Sequence, residues 1–529
     1  MWLDRVVAIL DLAELAAAAA ARGPERPAII EAVRAGAGAV ADVPDGRRRS
    51  WGELDAEVGA VAAGLVRLGV MAPQRVLLAL GNRIELVTSY LGTLRAQAVA
   101  VPVNPAASVA DLARMATDSG ARVVVADHHS LDRVRAAVSG LPAAPHVVVV
   151  GVEPAAGETS YDALAEGPPT QLPPLPDPEK LAALLYTSGT SGVPRAAMLT
   201  HRALLANLEQ MAAVEPAMVR PDDVVLGVLP LFHVYGLNAV LGCVLHAGAC
   251  LVLSDGFDPE GSLDLVADRG CTVVPVAPAV VGHWLGRERL RERLATVRVM
   301  LSGSAPLAAD VIEAFEGRSG VPVHQGYGLT EAAPVVTSTL CSSRSAPGSL
   351  GAPLPGVEVR IVDEDGRVED DDPGQVQIRG ANLFSGYWPG GSDGPGEGGW
   401  WSTGDLGYRD DRGDLRLVDR LGDLLVVSGF NVYPREVEDV IRELPGVAGV
   451  AVIGVEDPDD GTVVVAYVVA PDLADAAEVV TARCAERLVA FKRPSRVEVV
   501  DTLPVTSTGK VEKGRLRLLE RRRTWGVVE

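Results

Sequence analysis

The sequence predicts an α/β protein. A large N-terminal domain of parallel α/β sheets, with a small β-barrel-like subdomain, takes residues 1–418, and a small α+β domain takes residues 419–529. Three changes of texture carry this reading. Across residues 75–328, short β-branched runs alternate with helix-like segments. Beyond Gly348 the runs shorten and are punctuated by turn dipeptides, and from Asp419 helical and strand-like runs mix again.

The first block has apolar runs at 75–80, 122–127, 146–151, 223–230, 249–255, 271–278, 297–303 and 321–328. Each is long enough for a strand and too short for a helix. Their wide spacing is that of parallel strands joined by helical crossovers. The Pro-rich stretch 168–178 marks a surface connection. In the second block, runs at 357–363, 375–379 and 414–418 are separated by Asp365-Gly366 and Arg412-Gly413, which are turn signals of a small antiparallel unit. The third block predicts a helix at 434–443, strands at 447–455 and 462–470, a helix at 476–488 and a strand at 496–500. The glycine-rich stretch 390–399 contains Gly394-x-Gly396-x-x-Gly399, but it follows no strand and opens no helix, so it reads as a surface loop rather than a dinucleotide fingerprint.

The 529 residues exceed what one core supports, and the length prior suggests about three units. Lys and Arg total 48 against 69 Asp and Glu, a net charge of -21, which disfavours gripping nucleic acid. An anionic cofactor would need a locally positive or amide-lined pocket. Five cysteines without a CxxC pair support neither a disulfide framework nor a zinc site. The alanine run 16–21 lies in a stretch broken by Asp4, Arg5, Asp11 and Glu14, so an amphipathic surface helix fits better than a signal peptide. No run of about 18 uncharged apolar residues suggests a membrane span. A cytoplasmic protein, monomer or homodimer, is expected.

The sharpest chemical signal is Tyr186-Thr187-Ser188-Gly189-Thr190-Ser191-Gly192-Val193-Pro194-Arg195, directly after a strand-like run. Glycines let backbone approach an anion, hydroxyls and amides donate to phosphate oxygens, and Arg195 adds a permanent charge. No Gly-Lys-Ser/Thr closes it, and alone it also reads as an ordinary Ser/Gly-rich loop. His233, in Leu229-Pro230-Leu231-Phe232-His233-Val234-Tyr235-Gly236, reads equally well as a packed pocket histidine. Gly326-Tyr327-Gly328-Leu329-Thr330-Glu331 offers an aromatic, a hydroxyl and a carboxylate that could stack a base, bind phosphate and hold Mg²⁺. Asp405, in Ser402-Thr403-Gly404-Asp405, could accept from ribose hydroxyls. Lys510, in Thr506-Ser507-Thr508-Gly509-Lys510, reads on its own as a solvated loop lysine.

In order and spacing these segments resemble the adenylate-forming superfamily over roughly residues 24–517, most of all bacterial fatty acyl-CoA ligases and coumarate-type ligases. The resemblance implies that ATP and a carboxylic acid give an acyl-adenylate and pyrophosphate, and that CoA then displaces AMP. A carboxylate is a poor electrophile whose hydroxide cannot leave, and adenylation supplies the leaving group. It also implies roles. Thr187, Ser188, Gly189, Thr190, Ser191, Gly192 and Arg195 form a mobile phosphate loop. Gly326, Tyr327 and Gly328 flank the adenine, Thr330 meets the α-phosphate, and Glu331, with Thr187, binds Mg²⁺. Gly303, Ser304 and Ala305, followed by Pro306, line the adenine and acyl pocket, with His233 at its carboxylate end. Asp405 and Arg420 hold the ribose. Asp419 is the hinge of a mobile C-terminal domain, Lys510 drives adenylation, and Ser428, Gly429 and Phe430 line the pantetheine tunnel.

Two departures stand out: Arg195-Ala196 replaces a common Lys-Gly, and Gly422 stands where a lysine is common. Neither removes an adenylation residue. The leading expectation is an acyl-CoA ligase for a medium- or long-chain fatty acid, with aryl acids next. No extra cation near 239–248 suggests a dicarboxylic acid. The alternatives are adenylation feeding a free-standing carrier protein, disfavoured in its multidomain form because no carrier domain follows Lys510, a non-catalytic nucleotide- or acyl-binding relative, and a luciferase-like oxygenase.

Overall fold

The computed structural model describes residues 11–32, 46–168, 177–187, 194–305, 307–346, 348–363, 366–368, 373–420, 423–427, 430–457, 461–506 and 509–524. Ser188, Gly189, Thr190, Ser191, Gly192, Pro306, Gly422, Ser428 and Gly429 lie outside them, as does most of the Pro-rich stretch. The chain divides into two compact units, one comprising residues up to Thr187, Pro194–Glu358 and Arg379–Gly399, the other drawn mainly from Val359–Ile378 and Trp400–Glu529.

The first unit holds two large sheets. In the seven-stranded sheet the central strands Arg75–Ala79, Val99–Pro102, Ala121–Asp127 and His146–Val150 pair in parallel. In the nine-stranded sheet Val224–Gly227, Cys250–Leu253, Val273–Val276, Val299–Ser302 and Val323–Gly328 do the same. Both faces of such sheets are covered, so the strands are near-continuous Val, Leu and Ala runs. Leu77, Val101, Val124 and Val149 centre one core, and Leu226, Val274, Met300, Trp284 and Phe315 centre the other.

Parallel pairing is not universal. Leu181–Thr187 and Arg195–Thr200 form an antiparallel hairpin at one sheet edge. Val335–Ser338 runs antiparallel to Val323–Gly328, and Arg47–Ser50 runs antiparallel to Pro27–Glu31. The first two connections, of seven and six residues, are too short for a helical crossover, so the chain must turn back on itself there. The helix Glu14–Arg22 carries the alanine run and buries Leu15, Ala16 and Ala19 on one face.

The second unit holds most of a four-stranded sheet of Val357–Val362, Gly374–Gly380, Trp401–Arg409 and Leu415–Arg420. It continues with helices Pro434–Arg442 and Ala476–Arg487 against the three-stranded sheet Gly449–Asp457, Gly461–Val469 and Arg496–Val499. Gly390–Gly399 opens no helix beyond the short turn Glu397–Gly399, in keeping with a loop. No helix of the described residues is long and apolar enough to cross a membrane.

Candidate active site

In the first unit the expected residues gather at strand ends. Open α/β sheets bind ligands beyond the carboxyl ends of their strands. Ser302 and Gly328 end two neighbouring parallel strands, and Gly303, Ser304 and Ala305 follow the first of them. Ser304 holds a φ of +77°, rare for a residue with a side chain and typical of functional turns.

Tyr235 leans on Gly303: a Cβ there would sit 3.1 Å from the ring. Tyr235 also donates to the Leu301 carbonyl at 3.3 Å. It begins a π-helical segment, Tyr235–Gly242, whose widened turn is a frequent mark of functional sites. His233, two residues earlier, packs its ring 4.7 Å from Phe232. Burial lowers its pKa to about 4, so the imidazole is neutral at pH 7. Asn238, fully buried within the same segment, donates to the carbonyls of Leu204 at 3.1 Å and Ala333 at 2.7 Å. It thereby ties the His233 segment to the chain just beyond Glu331.

Tyr327 is buried in the strand Val323–Gly328, paired with Thr337. Gly328 permits a close crossing, since a Cβ would meet the Pro334 carbonyl oxygen at 2.2 Å. Thr330 and Glu331 then form a single turn, Thr330–Ala332. The strand Arg195–Thr200 packs against that turn.

The hairpin of Leu181–Thr187 and Arg195–Thr200 pairs Thr187 in register with Arg195. The Thr187 hydroxyl donates to the Arg195 carbonyl at 3.4 Å. The segment 384–388 runs beside the second hairpin strand: Ser385 donates to the Met198 carbonyl and Trp388 to the Ala196 carbonyl. It delivers Tyr387 between two expected residues. The Arg195 guanidinium lies over the Tyr387 ring, 3.7 Å from its centroid. The Tyr387 hydroxyl donates to Glu331 Oε1 at 2.6 Å. Arg195 also pairs with Asp393 at 2.6 Å. Glu331 is 8% exposed, and among the described residues its carboxylate accepts only the Tyr387 hydrogen bond. A buried carboxylate with lone pairs to spare, a guanidinium and a hydroxyl-rich hairpin suit a polyphosphate with a hard cation.

Tyr387, Asp393, Asn238 and Tyr235 were not among the expected residues. Tyr235 and Asn238 stood in a segment already singled out. Nothing local in the sequence pointed to Tyr387, and Asp393 fell in the stretch set aside as a loop.

The second unit carries the remaining expected residues. Asp405 is buried, and it faces Arg420 across the antiparallel register of Trp401–Arg409 and Leu415–Arg420. The Asp419 carboxylate accepts from the Arg435 backbone at 2.9 Å, at the start of the helix Pro434–Arg442. An acidic group at a helix N-terminus is favoured by the orphan amides there. Lys510 is exposed and closes a tight loop: its N–H donates to the Thr506 hydroxyl at 3.1 Å and its carbonyl accepts from the Thr506 N–H at 2.7 Å. Gly509, at φ +81°, makes that loop possible. Phe430 lies in the short strand Phe430–Val432.

Fold and site together define an adenylate-forming enzyme, an acid–thiol ligase. The chain belongs to the family of AMP-binding enzymes: the model of the AMP-binding enzyme matches residues 16–388, and that of the AMP-binding enzyme C-terminal domain matches residues 436–510. It is 33% identical to 4-coumarate–CoA ligase 5 of Oryza sativa subsp. japonica over 490 residues, 90% of each chain. It is 32% identical to the long-chain-fatty-acid–CoA ligase of Escherichia coli O157:H7, covering 89% of this chain and 90% of that one. Among solved structures, ATP-bound MatB from Rhodopseudomonas palustris superposes with a TM-score of 0.85 at 33% identity, covering 96% of this chain and 98% of that one.

Proposed function

We propose that this protein is a fatty acyl-CoA ligase of the cytoplasm, joining a medium- or long-chain fatty acid to CoA through an acyl-adenylate. The observation that carries the reading is the linked set Arg195, Tyr387 and Glu331 beside the hairpin that closes at Thr187. The apolar acid side is supported by the segment 229–248, which has no Lys or Arg, and by a His233 that burial keeps neutral. A second carboxylate on the substrate would find no fixed positive charge in that segment.

Arg195 and the hairpin hydroxyls grip the triphosphate, Tyr327 stacks on the adenine, and Asp405 with Arg420 holds the ribose. His233, neutral, marks the carboxylate end of the acid pocket. The buried Glu331 fits Mg²⁺, which takes one or two carboxylates together with substrate phosphates rather than a protein cage, and no cluster of three or more His, Cys, Asp or Glu able to hold a metal occurs among the described residues. The ion would neutralise charge developing on the transferring phosphate. Lys510 supplies a compact cation for the approaching carboxylate and α-phosphate. Residues 419–529 form a domain that turns about Asp419 after adenylation, so that Ser428, Gly429 and Phe430 guide pantetheine to the adenylate.

The test is pyrophosphate release over carboxylic acids of graded chain length, with and without CoA. The reading expects AMP and acyl-CoA in equal amounts, peaking among the longer aliphatic acids. ADP as product sinks the mechanism. A preference for aryl acids sinks the substrate class, and turnover with a carrier protein but not CoA sinks the acceptor.

A further inference from the structure

We propose that Tyr387 is a positioning residue of the triphosphate site: its ring carries Arg195 and its hydroxyl orients Glu331, so one side chain sets the spacing between cation and carboxylate. This rests on the roles given above to Arg195 and Glu331. The backbone leaves the ring little choice. Segment 384–388 is tied to the strand Arg195–Thr200, with the Gly386 carbonyl accepting from Met198 at 3.0 Å. Phe384, whose N–H donates to the Glu331 carbonyl at 2.9 Å, stands edge-on to the Tyr387 ring with centroids 5.0 Å apart. Gly386 has a φ of +89°, and a Cβ there would lie 2.2 Å from the Gly391 carbonyl oxygen, so only glycine permits the turn that presents the ring.

Each end of Tyr387 does separate work. The hydroxyl, at 2.6 Å, fixes Oε1 of Glu331 and leaves Oε2 for another partner. The ring face receives the guanidinium at 3.7 Å. A planar, weakly hydrated cation stacks there in a way a lysine ammonium does not, which gives a physical reason for arginine at 195.

Calorimetric titration of the full chain with ATP, in EDTA and then in excess Mg²⁺, separates the two ends. Tyr387→Phe keeps the ring and loses the hydroxyl. Metal-free affinity should stay at the wild-type value, while the Mg²⁺-dependent gain falls about tenfold, the scale of one hydrogen bond to a charged group. Tyr387→Leu should weaken metal-free binding as well. Glu331→Gln should lose the gain, and the double variant Glu331→Gln/Tyr387→Phe should be no worse than Glu331→Gln alone. Losses that add in the double variant, as a general loosening of the fold would give, overturn the proposal. So does a full Mg²⁺ gain in Tyr387→Phe beside a lost one in Glu331→Gln. If Glu331→Gln keeps its gain, the metal role of Glu331 fails, and the role of Tyr387 fails with it.

Discussion

Arg195 is already engaged, with Asp393 at 2.6 Å, so a triphosphate that recruits Arg195 must displace a carboxylate. The side chains are 37% and 69% exposed, which places the pair among solvent-accessible ion pairs worth about 0.2–1 kcal/mol. Exchanging it for phosphate oxygens therefore weakens ATP binding by at most about fivefold. Asp393→Asn removes the charge and keeps the size. Asparagine also tolerates the φ of +55° at this position, so the loop should hold its shape. The variant should bind ATP about two- to fivefold more tightly at low salt. The advantage should shrink at high salt, because exposed charges are screened. Calorimetric Kd and the KM for ATP in pyrophosphate exchange, each at two ionic strengths, measure it. In an Arg195→Ala background the same substitution should do nothing. An unchanged or weaker Kd in Asp393→Asn, or an equal gain without Arg195, would refute the competition.

Glu331→Gln should lower adenylation by roughly 10²–10³-fold, if the ion contact supplies about 3–4 kcal/mol in the transition state; an unchanged single-turnover rate at saturating Mg²⁺ would show another metal ligand. Lys510→Ala should nearly abolish acyl-adenylate formation and still convert supplied acyl-adenylate and CoA to thioester, whereas Gly429→Leu should do the reverse; equal loss of both half-reactions in Lys510→Ala, with a normal melting temperature, would end the alternation model. His201 is fully buried, and burial lowers its pKa to about 4. The unfolded chain takes up that proton near 6.5, so it binds more protons than the fold and stability drops as pH falls from about 6.5 toward 4, by roughly 2–3 kcal/mol. His201→Asn should flatten this acid limb in calorimetric melting curves, and an unaltered slope would place the acid sensitivity elsewhere.

The parallel strands were legible because burial on both faces writes itself into composition. Runs such as 122–127 and 146–151 differ from the observed Ala121–Asp127 and His146–Val150 only at their ends. Antiparallel edges were harder. Arg47–Ser50 is four polar residues, with no apolar signal at all, and it is a strand because Pro27–Glu31 offers it a ladder. The Arg195–Thr200 strand has an apolar run, and only the seven residues that separate it from Leu181–Thr187 mark it as turning back rather than crossing over.

For the site, the legible residues were those whose chemistry is concentrated in one stretch, as in 186–195 and 326–331. Tyr387 lies 192 positions from Arg195 and 56 from Glu331 along the chain. No window around it differs from an ordinary aromatic loop. Its meaning comes from three long-range facts: a backbone pairing with Ala196 and Met198, a ring beneath a guanidinium, and a hydroxyl on a buried carboxylate. Asp393 was passed over for the converse reason, since its surroundings are so rich in glycine that the stretch reads as a surface loop. Yet glycine at 386 is what turns the chain there, and the turn brings both side chains to Arg195. In this molecule the local motifs supply the reactive groups, and the distances between those groups are set by residues that only the fold brings near.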